Sequence, residues 1–336
     1  MGNVTQFGDI SGRTAGAISK MLLERGQHLM ILERFGQTDV QGKNTGLVRR
    51  YRRYEALARA TSPLAEGITP AGQKLAFTDI VVTLEQFGDL VEITDIVADT
   101  HEDPIVQQSV KLLGEQIAET TEAIRIAGIK AGTNVYYANG VASRSLVTSK
   151  PLKNDFRNIT RGFKRNKCRE ISEVVSASAK VGTDPILPSY FALGHTDLDA
   201  DIRDIGGFVD FAHYSDSGKA MPGEIGKLEG VRICLTGMFD PWTAAGVAGT
   251  TYLSGGAKVT SATAADVYPL LFLGRDAYSI VPLQGAGAVT PTVLQPKPDK
   301  SDPLGQRGYI SWKMMQACAI LQQLWIARYE CCATAL

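Results

Sequence analysis

Strand-forming aliphatic, aromatic and β-branched residues mark two long limbs, Gly46 to about Arg59 and Leu75 to Ile93, and the segment between, Ala60 to Gln73, carries the turn residues. The pattern predicts one long two-stranded arm. At about 3.3 Å per residue its limbs would project roughly 40–50 Å, further than a small domain is wide. An isolated hairpin is marginal in water and its open edges template association, so such an arm is expected to lie on a neighbouring subunit.

A helical period marks other segments. Ile18, Met21, Leu22, Leu29 and Leu32 predict a helix over Arg13 to Arg34, stopped near Gly36. Residues 37–45 are polar and read, with that helix, as an N-terminal arm. The strongest helix signal follows the hairpin: Asp103 as N-cap, Pro104 at the first helical position, and an apolar stripe of Val106, Val110, Leu113, Ile117, Thr121, Ile124 and Gly128. Pro104 to Ala131 predicts a helix of about 42 Å, long enough to organise a lobe. A shorter helix is expected over Leu152 to Lys164, where basic residues alternate with Phe156, Ile159 and Phe163.

From Cys168 to about Gly285 the pattern changes to short strand-like runs, Tyr190–Leu193, Val231–Leu235 and Leu271–Leu273, divided by glycine-rich loops at Gly246–Gly256 and Gly285–Gly287. Pro291 to Gly308 reads as a long exposed connection. The closing apolar stretch, Tyr309 to Tyr329, is expected to form strands that pack on the long helix, because Ile310, Trp312 and Met314 alternate.

Composition narrows the function. At 336 residues, two lobes with extensions are expected rather than one core. No run approaches the roughly 18 apolar residues of a membrane span, and the start lacks a signal-peptide pattern, so a reducing cytosol is the expected setting and no membrane partner is expected. The 35 basic and 35 acidic residues cancel, which argues against a chain that coats DNA over its whole surface; any basic surface must be local. The five cysteines, Cys168, Cys234, Cys318, Cys331 and Cys332, have no zinc-ligand spacing and read as small buried hydrophobes.

Catalytic and metal motifs are missing. His28, His101, His195 and His213 are scattered, and there is no HExxH, GxSxG or GxxxxGK run. The acidic run Asp197, Asp199, Asp201 and Asp204 fails as a calcium loop, since Ile202 stands where glycine is needed and Phe208 where glutamate is needed. Thr196 is instead expected to cap a short helix with Asp199 in its first turn. No enzyme activity, catalytic residue, cofactor or metal is expected. Arg49, Arg50, Arg52 and Arg53 put cations on both faces of one hairpin limb. Ion pairs, within the chain or with a neighbour, a solvated strand and DNA contact all remain open for them, and the neutral chain favours ion pairs. Glu66 near the tip is a candidate cross-interface partner. With Ile68 and Phe77, these residues make up the subunit-interface candidates.

Several runs resemble the major capsid proteins of tailed phages of the N-four-like type. They are Ala65–Pro70 with the strand to Leu84, Gln86-Phe87-Gly88, Ile93-Thr94-Asp95, Glu224–Arg232, Gly274–Tyr278, and Asp302–Tyr309 with Trp312-Lys313. They occur in order over about residues 46–330. The resemblance implies an α+β fold of the Hong Kong 97 type: an N-terminal arm (1–45), an extended β-hairpin loop (46–95), a peripheral lobe on a long spine helix (96–165, completed by returning strands 291–336) and an axial lobe (166–290). It implies a homo-oligomer of hexamers and pentamers closing an icosahedral shell, the virion capsid, around double-stranded DNA. Assembly in the host cytoplasm is expected, with scaffolding, decoration and portal proteins as possible partners. No long charged helical region precedes residue 11, so a cleaved N-terminal scaffolding segment is not expected, and no Lys–Asn crosslinking pair is identified. A cellular encapsulin-like nanocompartment shell and, further off, a soluble enzyme are the alternatives.

Overall fold

A computed structural model describes residues 30–336 except 62, 64–65, 68, 70–71, 97–104, 172–187, 214–220, 222, 250–255, 261–263, 285–288, 295–297, 299–302 and 336. Most of the helix expected over Arg13 to Arg34, the Asp103–Pro104 cap, Ile68 and the loop at 285–287 therefore lie outside the described residues.

The elements in chain order are β1 (Gln37–Thr38), β2 (Val48–Tyr54), β3 (Phe77–Thr83), β4 (Glu85–Thr94), α1 (Ile105–Lys130), β5 (Val135–Tyr137) and α2 (Lys153–Arg165). There follow β6 (Tyr190–Gly194), α3 (Asp199–Arg203), β7 (Val209–Asp210), β8 (Glu224–Leu228), β9 (Val231–Leu235), β10 (Tyr268–Leu273), β11 (Tyr278–Pro282), β12 (Val289–Leu294), β13 (Arg307–Ile320) and β14 (Ile326–Cys331). Three sheets result: a five-stranded one in the order β1-β11-β13-β12 with β4 also on β13, a seven-stranded one in the order β5-β14-β10-β6-β9-β8-β7, and the β2–β3 ribbon.

The spine helix α1, 26 residues long, is present as the stripe predicts. Val110, Leu113 and Ile117 are buried against Ile93, Ile310, Trp312 and Met314, so alternation on β13 and the helical stripe on α1 meet in one core. Polar groups at the seam are paired across it: the Trp312 indole N–H donates to Gln116 Oε1 at 3.1 Å.

The seven-stranded sheet covers a larger core. Phe156 of α2 stands edge-on to Phe272 at 5.1 Å and to Tyr329 at 6.1 Å, and Phe163 to Tyr190 at 5.2 Å. Such aromatic pairs add about 0.5–1.5 kcal/mol each beyond their area burial. This packing leaves the opposite side of α2 in solvent.

The structure departs from the sequence reading in four places. The hairpin is shorter than predicted. β2 and β3 pair over seven residues, from Val48↔Thr83 to Tyr54↔Phe77, and at buried Leu84 the second limb leaves its partner, β4 pairing with β13 from Thr94↔Arg307 to Glu85↔Gln316. Strand-forming residues continue through both segments, and local pattern alone cannot locate a change of partner. Pro291 lies in an edge strand, opposite Trp312, because a proline without an N–H is tolerated where only one side of the strand is paired. The closing segment divides between two layers: β13 joins the sheet under α1, while β14 runs between β10 and β5 in the seven-stranded sheet. The same sheet holds β5, and its core takes the inner face of α2. Finally, His195, not Thr196, caps the turn before α3, its Nδ1 accepting the Asp197 N–H at 3.0 Å. The acidic run is used one residue at a time: Asp197 by Tyr268 and Lys258, and Asp201 by the N–H and hydroxyl of Thr334.

Candidate assembly interface

The β2–β3 ribbon has two unlike faces. One is pinned to the body. Val82 and Leu84 are buried with Val281 of β11, the Tyr51 hydroxyl meets Ser279 Oγ at 2.9 Å, and the Leu84 N–H donates to the Leu47 carbonyl at 2.9 Å. Burial of the Tyr51 phenol outweighs that hydrogen bond and raises its pKa.

The other face carries the opposed pairs Val48/Thr83, Arg50/Val81, Arg52/Asp79 and Tyr54/Phe77. Tyr54, Phe77 and Val81 are 62%, 52% and 56% exposed, and no described element covers them. The Tyr54 and Phe77 rings stand edge-on at 6.3 Å, and the Arg52 guanidinium lies 4.2 Å over Phe77 while donating to both oxygens of Asp79 at 2.8 and 3.0 Å. Those hydrogen bonds hold the Asp79 carboxyl below its usual range. The face is thus ordered by its own contacts before any partner arrives.

The four arginines divide between these faces. Arg49 binds Asp39 Oδ2 at 2.6 Å, tying the hairpin to the segment that follows β1. Arg53 donates to the Leu321 carbonyl at 3.1 Å and to Gln322, bracing the ribbon on the β13–β14 turn, with Glu55 at 3.7 Å. Arg52 is paired within the ribbon. Arg50 is exposed, with Asp79 the charge that senses it. Glu66 is exposed in the tip turn. Of the sequence candidates, the structure gathers Arg50, Arg52 and Phe77 on one open face and assigns Arg49 and Arg53 to anchoring.

A second open surface is the side of β4–β13–β12 turned away from α1. There Leu90 of β4 (57% exposed) stands opposite Ser311, and Glu92 opposite Tyr309, with Leu294 of β12 on the far side of Tyr309. Gly88 is required at the crossing, because a Cβ there would lie 2.6 Å from the Trp312 carbonyl oxygen.

Ile31 and Leu32 are held by a clamp that the sequence reading missed. Glu122 of α1, fully buried, accepts the N–H groups of Ile31 and Leu32 at 3.1 and 2.9 Å, while the Tyr278 hydroxyl donates to the Leu32 carbonyl at 2.5 Å. Arg125 is 3.9 Å from Glu122 and 3.8 Å from Glu33. Burial raises the Glu122 pKa despite the two N–H donors and Arg125. The available signal was a glutamate and an arginine three residues apart within the apolar run Ile117–Ile129.

A family model described as phage capsid protein matches residues 77–320, well over half of the chain. No match is found among curated protein sequences. Among solved structures, the chain is similar to the capsid of Ralstonia phage GP4, with a TM-score of 0.63, 11% identity and 91% of each chain covered. It is also similar to the capsid of cyanophage Pam1 (TM-score 0.59, 13% identity, 88% and 89% covered) and to that of Helicobacter pylori bacteriophage KHP30 (0.59, 11%, 88% and 87%). At these identities the likeness establishes the fold, the α+β architecture of Hong Kong 97-type capsids, and the family model carries the function. The chain belongs to the phage capsid protein family and is a major capsid protein, a structural subunit of the head shell.

Proposed function

We propose that this subunit assembles as hexamers and pentamers into an icosahedral head enclosing double-stranded phage DNA, and that within its family it is of the N-four-like type. Residues 1–45 serve as the arm and 46–95 as the extended loop. The peripheral lobe takes 96–165 and the returning strands of 291–336, and the axial lobe takes 166–290. Assembly takes place in the host cytoplasm, with portal, scaffolding or decoration proteins joining the shell, and the chain has no catalytic role.

The observation that carries the reading is the hairpin: its base is braced by Arg49, Tyr51 and Arg53, while Tyr54, Phe77 and Val81 stay open. A face of this kind suits a neighbour's surface, and Arg50, Arg52, Phe77 and Glu66 belong to that contact. Each contact is small. Repeated around a closed shell it becomes collectively stable, because every further contact of an already seated subunit is intramolecular.

The test is expression of the chain alone, followed by negative-stain electron microscopy and size-exclusion chromatography. Closed shells or hexameric rings are expected, and nuclease-protected DNA in shells recovered from infected cells separates a phage head from a protein-filled compartment. A monomer or dimer that stays small when phage lysate is added refutes the proposal.

A further inference from the structure

Helix α2 has a second face that neither the core nor the hairpin uses. Its inner side, Phe156, Ile159 and Phe163, is buried. The outer side and the turn after it carry Arg161, Lys164, Arg165, Lys167 and Arg169, all exposed. None of these five forms an ion pair with a described residue.

That is notable in a chain with as many carboxylates as cations. Arg157, one turn earlier, binds Glu229 at 3.0 Å, and Lys153 reaches the same carboxylate at 3.3 Å. Beyond Arg157 no cation of the helix or its turn makes such a pair with a described residue. Asp276 at the border is 3.7 Å from Arg275, and Glu170 is the one acid between Arg161 and Ile171. The helix dipole favours Lys164 and Arg165 in the last turn, which leaves Arg161, Lys167 and Arg169 unexplained.

The patch is also held in shape. The Asn166 carbonyl accepts the Trp325 indole N–H at 3.2 Å, and the Arg169 carbonyl accepts the Arg275 N–H at 3.0 Å. Lys167 sits at φ 53, a left-handed conformation that favours Gly or Asn, secured by its N–H to the Lys164 carbonyl at 3.1 Å. Arg157, Arg161 and Arg165 recur every four residues, a row of about 12 Å along the helix axis. At about 3.4 Å per step this matches three to four base pairs of duplex.

Composition selects the partner. Between residues 152 and 169 no large apolar side chain is exposed, and the exposed neighbours of the cations are Asn154, Asn158 and Asn166. Protein interfaces are depleted in lysine and rely on apolar and aromatic anchors, whereas phosphate surfaces are built from arginine, lysine and asparagine donors. We propose that the outer face of α2 and its C-terminal turn bind the phosphate backbone of double-stranded DNA without reading sequence. This rests on the reading that the shell encloses DNA, and it places this face on the lumenal side.

The test uses the purified full-length chain before assembly and a fluorescein-labelled 20-base-pair duplex, with anisotropy measured from 50 to 200 mM salt. Neutralising three contacts in the triple variant R161Q/K164Q/R165Q is expected to make the slope of log K against log salt shallower by about 2.7. The double variant R161K/R165K is expected to keep the wild-type slope. A wild-type chain that does not bind the duplex, or a triple variant with an unchanged slope, overturns the proposal. Salt-dependent binding of a polyglutamate peptide in place of the duplex does so too, assigning the face to an acidic protein. Electron microscopy of the same preparations reads the shell reading separately: shells that close with no change in slope refute only the DNA contact, and a wild-type chain that never closes refutes the shell.

Discussion

Replacing Phe77 and Val81 together by Ala tests whether the open hairpin face is covered by a neighbour. Full burial of a Phe or Val side chain contributes about 1.5–3 kcal/mol, and each is roughly half exposed in the subunit, leaving about 1–1.5 kcal/mol apiece for assembly. The pair is therefore worth about 2–3 kcal/mol per hairpin, less what the remaining Cβ atoms retain. At about 1.4 kcal/mol per tenfold, the critical concentration for assembly should rise roughly ten- to a hundredfold. Within the subunit the change removes the edge contact with Tyr54 and the stacking of Arg52, worth about 0.5–1.5 kcal/mol each at most. Light scattering against concentration at 0.15 M salt gives the assembly threshold, and a circular-dichroism melt of the unassembled chain gives subunit stability. An unchanged threshold with an unchanged melt would mean that no neighbour covers this face, and the argument from its exposure would fail.

Three further outcomes follow from individual contacts. Glu122 has a raised folded-state pKa, so the folded protein holds its proton more tightly than the unfolded chain; this contribution is full below the ordinary carboxylate pKa and is lost as pH rises through the raised value. Rate-corrected amide protection of Ile31 and Leu32 should accordingly be greater at pH 5 than at pH 8, and E122Q should flatten the dependence; protection that grows with pH would show that the two N–H donors outweigh burial at Glu122 and refute this reasoning. Arg232 and Glu224 form a buried two-point ion pair (Nε to Oε1 at 2.7 Å), so Arg232→Met should cost about 3–5 kcal/mol by stranding the carboxylate. Adding Glu224→Gln should recover part of that loss in thermal denaturation, and a double variant as unstable as the single one argues against the stranded charge. Gly88→Ala should cost about 1–3 kcal/mol of stability through its collision with the Trp312 carbonyl, read as a lower urea midpoint, and an unshifted midpoint would show that β4 and β13 can part without cost.

Local chemistry and pattern were enough to read the spine helix, helix α2 and the alternation of β13, because each depends on a repeat within a single segment. The stripe from Val110 to Ile124 and the triplet Ile310, Trp312 and Met314 state which side of each element is buried. The ordered motifs also carried the family resemblance, and two become intelligible as contacts: Glu224 and Arg232, at the ends of one motif, pair with each other, and Gly88 in another permits two strands to touch. Partners distant in sequence were decided by tertiary structure alone. The departure of the second limb at Leu84, the division of β13 and β14 between two sheets, and the use of Glu122 to hold the backbone of Ile31 and Leu32 all join segments far apart in the chain. A period of two says that a strand has two faces but does not name the strand beside it, and a cation in a sequence does not reveal whether a carboxylate lies within reach. For that reason Arg49 and Arg53 became braces of the hairpin, Arg50 remained on its open face, and the basic turn after α2 emerged as a surface without an ion pair among the described residues only once the chain had folded.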